Sequence, residues 1–168
     1  GVAVLALFWG IWHGWMQTYG FARIYDAKRG SLARTTARID FALCAAFFCG
    51  AVVLSPHRGF QIMDQLARCG VPAPPASVIA TARGVAWVAI VAAGSLYVVW
   101  SWRLARGGRA PSAIKHALLG SSLCAWWVAT NCVPNLIFGL ALFELFHDVQ
   151  YLAIVWAFNQ RRAREGRD

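Results

Sequence analysis

Long apolar runs dominate this chain and are separated by short connections rich in arginine, glycine and proline. Each of five runs is long enough for an α-helix to cross a hydrocarbon core of about 30 Å. They predict membrane-spanning helices at residues 2–19, 38–54, 79–102, 114–130 and 134–158. Pro134 is predicted to lie in the first turn of the last helix, where a missing N–H costs nothing.

The connection at residues 55–77 has a different pattern. Within "GFQIMDQLARCG", the apolar residues Phe60, Ile62, Met63 and Leu66 recur near helical spacing, and the stretch ends at Gly70. This pattern predicts a short amphipathic helix in the membrane interface. The fold class is therefore all-α: a polytopic membrane helical bundle with about five transmembrane helices, forming one domain over residues 1–168. Because the first residue already lies in an apolar run, we expect the chain to be processed or the C-terminal part of a longer protein.

Composition strengthens this interpretation. Hydrophobic residues make up 59% of the chain and charged residues 14%, which is little more than half the charge of an average soluble domain. The formal net charge of +9 would be typical of nucleic-acid binding in a soluble protein. Here the basic residues lie in connections and in the tail, so they are better explained by membrane orientation, and no nucleic-acid partner is expected.

The distribution of Lys and Arg predicts that orientation. Thirteen lie in the connections after the first and third helices and in the tail, Lys115 among them, and three lie on the opposite side, Arg58 among them. This asymmetry places the C-terminus in the cytoplasm, in a membrane of the bacterial inner (plasma) type. The expected partners are membrane lipids, with anionic headgroups at the basic side, and other membrane subunits.

Polar residues inside two predicted spans form the candidate site. The stretch "ELFHDVQY" in the last span carries Glu144, His147, Asp148 and Tyr151, and a Glu-x-x-His pair is how helical bundles present a carboxylate and an imidazole to one metal. The first span carries His13 and Gln17 on one face. Both spans run in the same direction, and the two histidines have similar predicted depths, so they are expected to share one site.

The leading hypothesis is an intramembrane metal site. His13 and His147 would supply nitrogen ligands, and Glu144 and Asp148 carboxylate ligands. Mixed histidine and carboxylate donors favour non-haem iron, which would support oxidation of a lipophilic substrate. Gln17 and Tyr151 are assigned as cofactor-binding residues that orient the ligands by hydrogen bonds.

Other functions fit the same residues. The two histidines could be axial ligands of a haem or a chlorin in an accessory subunit of a larger membrane complex. A structural subunit would use the polar cluster only to fix helix packing, and a proton or ion pathway would use it for transfer.

The stretch "GIWHG", at residues 10–14, resembles the WHG stretch of membrane-bound O-acyltransferases. The match covers five of 168 residues, and a second polar motif of that family is not visible. What the resemblance implies is a minor alternative, a membrane acyltransferase that uses His13.

Three further ionisable residues are given ordinary structural roles. Asp40 is expected in the first turn of the second span, where a carboxylate is favoured by the helix dipole. His116 is expected at the membrane interface, and His57 is expected in a loop on the outer side.

Overall fold

The computed structural model describes residues 2–164 and 166, and all regular elements within them are helical. The elements are α1 (Val2–Lys28), α2 (Arg34–Leu54), α3 (Pro56–Arg68), α4 (Ala76–Arg106), α5 (Ala113–Trp127), a π-helical turn (Val128–Cys132) and α6 (Leu136–Arg164). The prediction of an all-α fold is confirmed for the part of the chain that is described.

Three described helices, α2, α4 and α6, are long and apolar enough to cross a membrane. Helix α4 is almost entirely unburied within the chain, and the exposed side chains along it include Val85, Val88 and Val91. Helix α1 has sufficient length, but its apolar run is interrupted by His13 and Gln17, and α5 has only 15 residues.

Helix α1 is nine residues longer than the sequence predicts. Residues 20–28 were expected to form a basic loop, and that expectation is wrong. Phe21 and Ala22 are buried against the other helices, and Arg23 pairs with Asp26 one turn later at 2.7 Å. Burial and the ion pair favour another two turns of helix, which end where Gly30 adopts a φ of 69°.

The turn before α6 also differs from the prediction. Helix α6 begins at Leu136, so Pro134 lies before the helix rather than in its first turn. Asn135 caps the helix instead, because its Oδ1 accepts a hydrogen bond from the Phe138 N–H at 3.0 Å. The Pro134 carbonyl is thereby left free to accept hydrogen bonds from α3.

The short helix between the second and third long helices is confirmed, although it begins earlier than predicted. Ser55 caps α3 by accepting a hydrogen bond from the Arg58 N–H at 3.2 Å, and Pro56 occupies the first turn. His57 therefore lies in a helix and not in a loop.

An aromatic core joins α2, α5 and α6. The Trp126 ring lies 4.7 Å from Phe143 and 5.2 Å from Phe48, measured between centroids, and all three side chains are fully buried. The Trp126 indole N–H donates to the Phe48 carbonyl at 2.9 Å. This core fixes the position of α6 against the rest of the bundle.

The basic connections meet at one end of the bundle. Asp26 near the end of α1 pairs with Lys115 at the start of α5, and the Lys28 ammonium lies 4.3 Å from the Phe158 ring of α6. We call this end, which includes the loops at residues 29–33 and 107–112, the basic end. At the opposite end, the Ser55 hydroxyl donates to the Thr130 carbonyl at 2.7 Å.

Candidate metal-binding site

Two glycines allow α6 to approach α1 closely. A Cβ atom on Gly14 would lie 2.7 Å from ring carbons of both Phe143 and Phe48, and one on Gly10 would lie 3.1 Å from Leu140. Any larger residue at position 14 would force the helices apart. The spacing of "GIWHG" therefore has a packing role: it brings the neighbouring His13 against α6.

His147 lies at this contact and is fully buried, near the midpoint of α6. Its imidazole stacks on Phe143 with 5.0 Å between centroids, and it meets Phe21 at 6.1 Å and His13 at 6.0 Å. Neither Nδ1 nor Nε2 has a hydrogen-bond partner among the described residues. A buried polar atom without a partner costs about 1–3 kcal/mol, so these two nitrogens require an explanation.

His13 completes a pair of imidazoles. It is half-buried, stacks on Trp9 at a centroid distance of 6.0 Å, and meets His147 edge to face with an interplanar angle of 72°. The sequence-based expectation that the two histidines lie close together thus agrees with the structure.

The carboxylates occupy different environments. Glu144 is half-buried and lies within electrostatic range of His13 and Asp148, whereas Asp148 is exposed and interacts electrostatically with His147. Within the described part of the chain, neither carboxylate forms an ion pair. Glu144 is consequently the carboxylate better placed to act with the imidazoles.

The two residues predicted to orient the ligands are less buried than His147. Gln17 is half-buried one turn after His13, and Tyr151 is about half exposed, at 52%, one turn after His147. The neighbouring Gln150 is instead tied to α5, since its Oε1 accepts from the Ser122 hydroxyl at 3.1 Å.

Across residues 2–164 and 166, no group of three or more His, Cys, Asp or Glu side chains is already arranged to hold a metal ion. The structure thus brings together two of the predicted ligands, His13 and His147. The four-residue ligand set with Glu144 and Asp148 stays a prediction.

The close helix contact gives a direct prediction for Gly14. Gly14→Ala should destabilise the fold by about 1–3 kcal/mol, because its methyl group would overlap the rings of Phe143 and Phe48. Gly20→Ala, on the same helix, meets nothing within 4 Å and should be neutral or stabilising by up to about 1 kcal/mol. Thermal unfolding in detergent measures both variants. Equal stability of the two would contradict the close approach of α6.

A buried ion cluster at the basic end was not predicted. The Lys115 ammonium donates to both Asp26 oxygens at 3.0 and 2.9 Å and to Asp40 Oδ2 at 2.6 Å, and all three side chains are buried. Asp40 is the seventh residue of α2 and not in its first turn, so the helix-dipole role expected for it is wrong. Lys115 was counted among the charges of the connections, and the stretch "SAIKHALLG" does not distinguish a buried lysine from an exposed one.

A second buried cation, Arg58, was also counted as a surface charge. Its guanidinium donates to the carbonyls of Ala129, Val133 and Pro134 at 2.7–3.1 Å and to Gln61 at 2.9 Å. Burial lowers the pKa of Arg58 from its ordinary value. The group binds the carbonyls at the end of α5 and the π-helical turn, where a cation is favoured by the helix dipole.

Comparison of this chain with protein-family models, curated proteins and solved structures gave no match. The similarity of residues 10–14 to membrane-bound O-acyltransferases therefore gains no further support.

Proposed function

We propose that this chain is an integral membrane protein that crosses the bilayer five times and binds a metal ion between α1 and α6. Besides α2, α4 and α6, the 27 residues of α1 would extend about 40 Å. Helix α5 and the π-helical turn together cover 20 residues, or about 30 Å. The outward apolar faces of α4 and α6 would contact lipid or other membrane subunits.

The orientation proposed from the sequence is compatible with the burial of two cations. Removing Lys115 and Arg58 from the count of surface charges leaves twelve basic residues on the proposed cytoplasmic side and two on the other. The asymmetry persists, so we keep the C-terminus in the cytoplasm of a bacterial-type inner membrane.

The observation that carries the metal proposal is the buried His147 ring, whose two nitrogens have no partner among the described residues, beside His13. Two imidazoles that share one metal, with bonds of about 2.0–2.1 Å, have ring centroids on the order of 5 Å apart. The observed centroids are 6.0 Å apart and the rings meet edge to face, so a shared ion would require the two rings to reorient. Glu144 would supply a carboxylate oxygen, and the exposed Asp148 would complete the ligand set by a change of rotamer.

The chemistry of this donor set favours iron(II) over metals that prefer thiolates. With dioxygen as the oxidant that takes up the electrons, such a site would support oxidation of a lipophilic substrate arriving from the bilayer, and this is the proposed activity. Gln17 and Tyr151 lie one turn from the two histidines and would orient the bound groups.

Metal analysis of histidine variants tests this proposal. Purified protein in detergent is loaded anaerobically with iron(II), desalted, and measured by elemental analysis. Wild type should retain about one iron per chain, and His147→Ala should lower occupancy about tenfold or more. His57→Ala is the matched control, because it removes an imidazole from α3 and should leave occupancy unchanged.

The size-exclusion profile and helical circular dichroism establish that each variant is folded. Glu144→Gln, which keeps the shape of the side chain, should lower iron occupancy less than His147→Ala does. Undiminished iron in a folded His147→Ala protein would contradict the ligand assignment.

A second candidate, a tetrapyrrole-binding accessory subunit, uses the same two histidines. His13 and His147 lie on different helices and would be the residues that hold a haem or a chlorin. An absorption spectrum separates the two candidates, since a Soret band that disappears in His147→Ala would favour haem or chlorin over non-haem iron.

A further inference from the structure

A cavity of about 310 Å³ lies at the basic end, between the loop after α1 and the loop after α4. Its lining includes Arg29 from the first loop, Arg109 from the second, and Leu32 and Leu104 as apolar surface. This volume is at the lower end of the range for small-molecule pockets, about 300–1,000 Å³. The cavity is far in sequence from His13 and His147 and is separate from the proposed metal site.

Two matching turns position the arginines. Gly30 and Gly108 adopt φ values of 69° and 71°, which favour glycine, and each terminates the preceding helix. In the first turn, the Ser31 N–H donates to the Asp26 carbonyl at 3.0 Å, and in the second, the Arg109 N–H donates to the Leu104 carbonyl at 2.9 Å. Both loops are thereby folded against their helix ends, with Arg29 and Arg109 beside the cavity.

The positive charge at this cavity is not neutralised within the described chain. Neither Arg29 nor Arg109 forms an ion pair there. Asp26 also lines the cavity, but its carboxylate is already bound by Lys115 at 2.9 Å and by Arg23 at 2.7 Å. A ligand entering the cavity would therefore meet a net positive surface.

We propose that this cavity binds the phosphate of an anionic phospholipid headgroup. Guanidinium groups match phosphate oxygens in charge and geometry. The site lies where α1, α2, α4 and α5 begin or end, which in the proposed topology is the headgroup level of the cytoplasmic leaflet. Leu32 and Leu104 add an apolar surface beside the two arginines, which suits a lipid better than a free phosphate ion.

Lipid binding to the purified full chain in detergent tests the site. Native mass spectrometry would follow titrations with phosphatidylglycerol, phosphatidylcholine and inorganic phosphate. The double variant Arg29→Gln and Arg109→Gln should weaken phosphatidylglycerol binding about 25-fold, or about fivefold for each arginine. The double variant Arg38→Gln and Arg103→Gln is the matched control, because it removes the same charge from residues that do not line the cavity.

The control variant should lose no more than about twofold, because Arg38 and Arg103 are exposed and do not line the cavity, so solvent and salt screen their charges. Equal losses in the two double variants would overturn the site in favour of diffuse attraction. Equal binding of phosphatidylcholine and phosphatidylglycerol would overturn it as well. Saturable binding of inorganic phosphate as tight as that of phosphatidylglycerol would overturn the lipid assignment. Iron occupancy should be the same in all these proteins, so failure of this proposal and failure of the metal proposal are distinguishable.

Discussion

Lys115→Met should lower the free energy of unfolding by about 3–5 kcal/mol. The substitution keeps the volume and apolar stem of the side chain but removes the ammonium that binds Asp26 and Asp40. Among the described residues, Asp40 would then be a buried carboxylate without an ion-pair partner, since the ion pair of Arg23 is with Asp26. The shift in the midpoint of unfolding by SDS or heat, in detergent micelles, measures the effect.

Two further variants make this test specific. Lys28→Met removes an exposed cation that lies over the rings of Tyr25 and Phe158, and it should cost no more than about 1 kcal/mol. The double variant with Lys115→Met and Asp40→Asn should recover much of the loss, because Asp40 is then neutral and Asp26 keeps its ion pair with Arg23. A Lys115→Met protein as stable as Lys28→Met would contradict the buried ion cluster.

Arg58→Ala should have an effect of similar size, about 3–5 kcal/mol. The guanidinium is the shared donor for the carbonyls of Ala129, Val133 and Pro134, and its removal leaves most of them without their buried partner. Arg58→Lys should rescue only part of the loss, because an ammonium cannot reproduce the planar set of donors. Unfolding midpoints compare the variants.

Arg68→Ala is the control for Arg58. Arg68 lies on the same helix, and its ion pair with Asp64, at 3.0 Å, is on the surface. Its removal should therefore lower the free energy of unfolding by less than about 1 kcal/mol. A loss for Arg58→Ala no larger than for Arg68→Ala would show that α3 is held to the π-helical turn by other contacts.

The periodicity of apolar residues was sufficient to predict the all-helical fold and the short helix α3. It failed where tertiary contacts decide the structure. Residues 20–28 looked like a basic loop because they carry Arg23, Asp26 and Lys28, yet burial of Asp26 against Lys115 continues the helix. The sequence does not distinguish a charged residue in an exposed loop from one in a buried ion pair. The spacing of Asp26, Asp40 and Lys115 along the chain therefore could not predict the ion cluster.

The candidate site was only partly predictable for a similar reason. Counting residues from the basic ends of the first and last spans was enough to predict that His13 and His147 lie near each other, and their rings are 6.0 Å apart. The burial of His147, and the exposure of Asp148 and Tyr151, depend on the rotation of α6 set by packing of Phe143 against Gly14 and Phe48. That rotation is decided by side-chain contacts across three helices and not by any local pattern.

Packing therefore explains why His147 is buried, but it does not supply a hydrogen-bond partner or ligand for the two ring nitrogens. A hydrogen-bonding role alone would require a donor or acceptor at Nδ1 or Nε2, and none is present among the described residues. In the proposed site, a metal ion bound jointly with His13 would be the partner of one His147 nitrogen, and the half-buried Glu144 would be a further ligand. The helix contact at Gly14 and the imidazole pair lie at the same place, which in the proposed topology is inside the membrane.

X-ray absorption at the iron edge of the loaded wild-type protein tests this central claim most directly. The account predicts about one iron per chain with two imidazole ligands, and a spectrum with one imidazole in any iron that His13→Ala retains. Iron that is bound by no imidazole, or a wild-type chain that retains no iron after anaerobic loading with iron(II), would contradict the account.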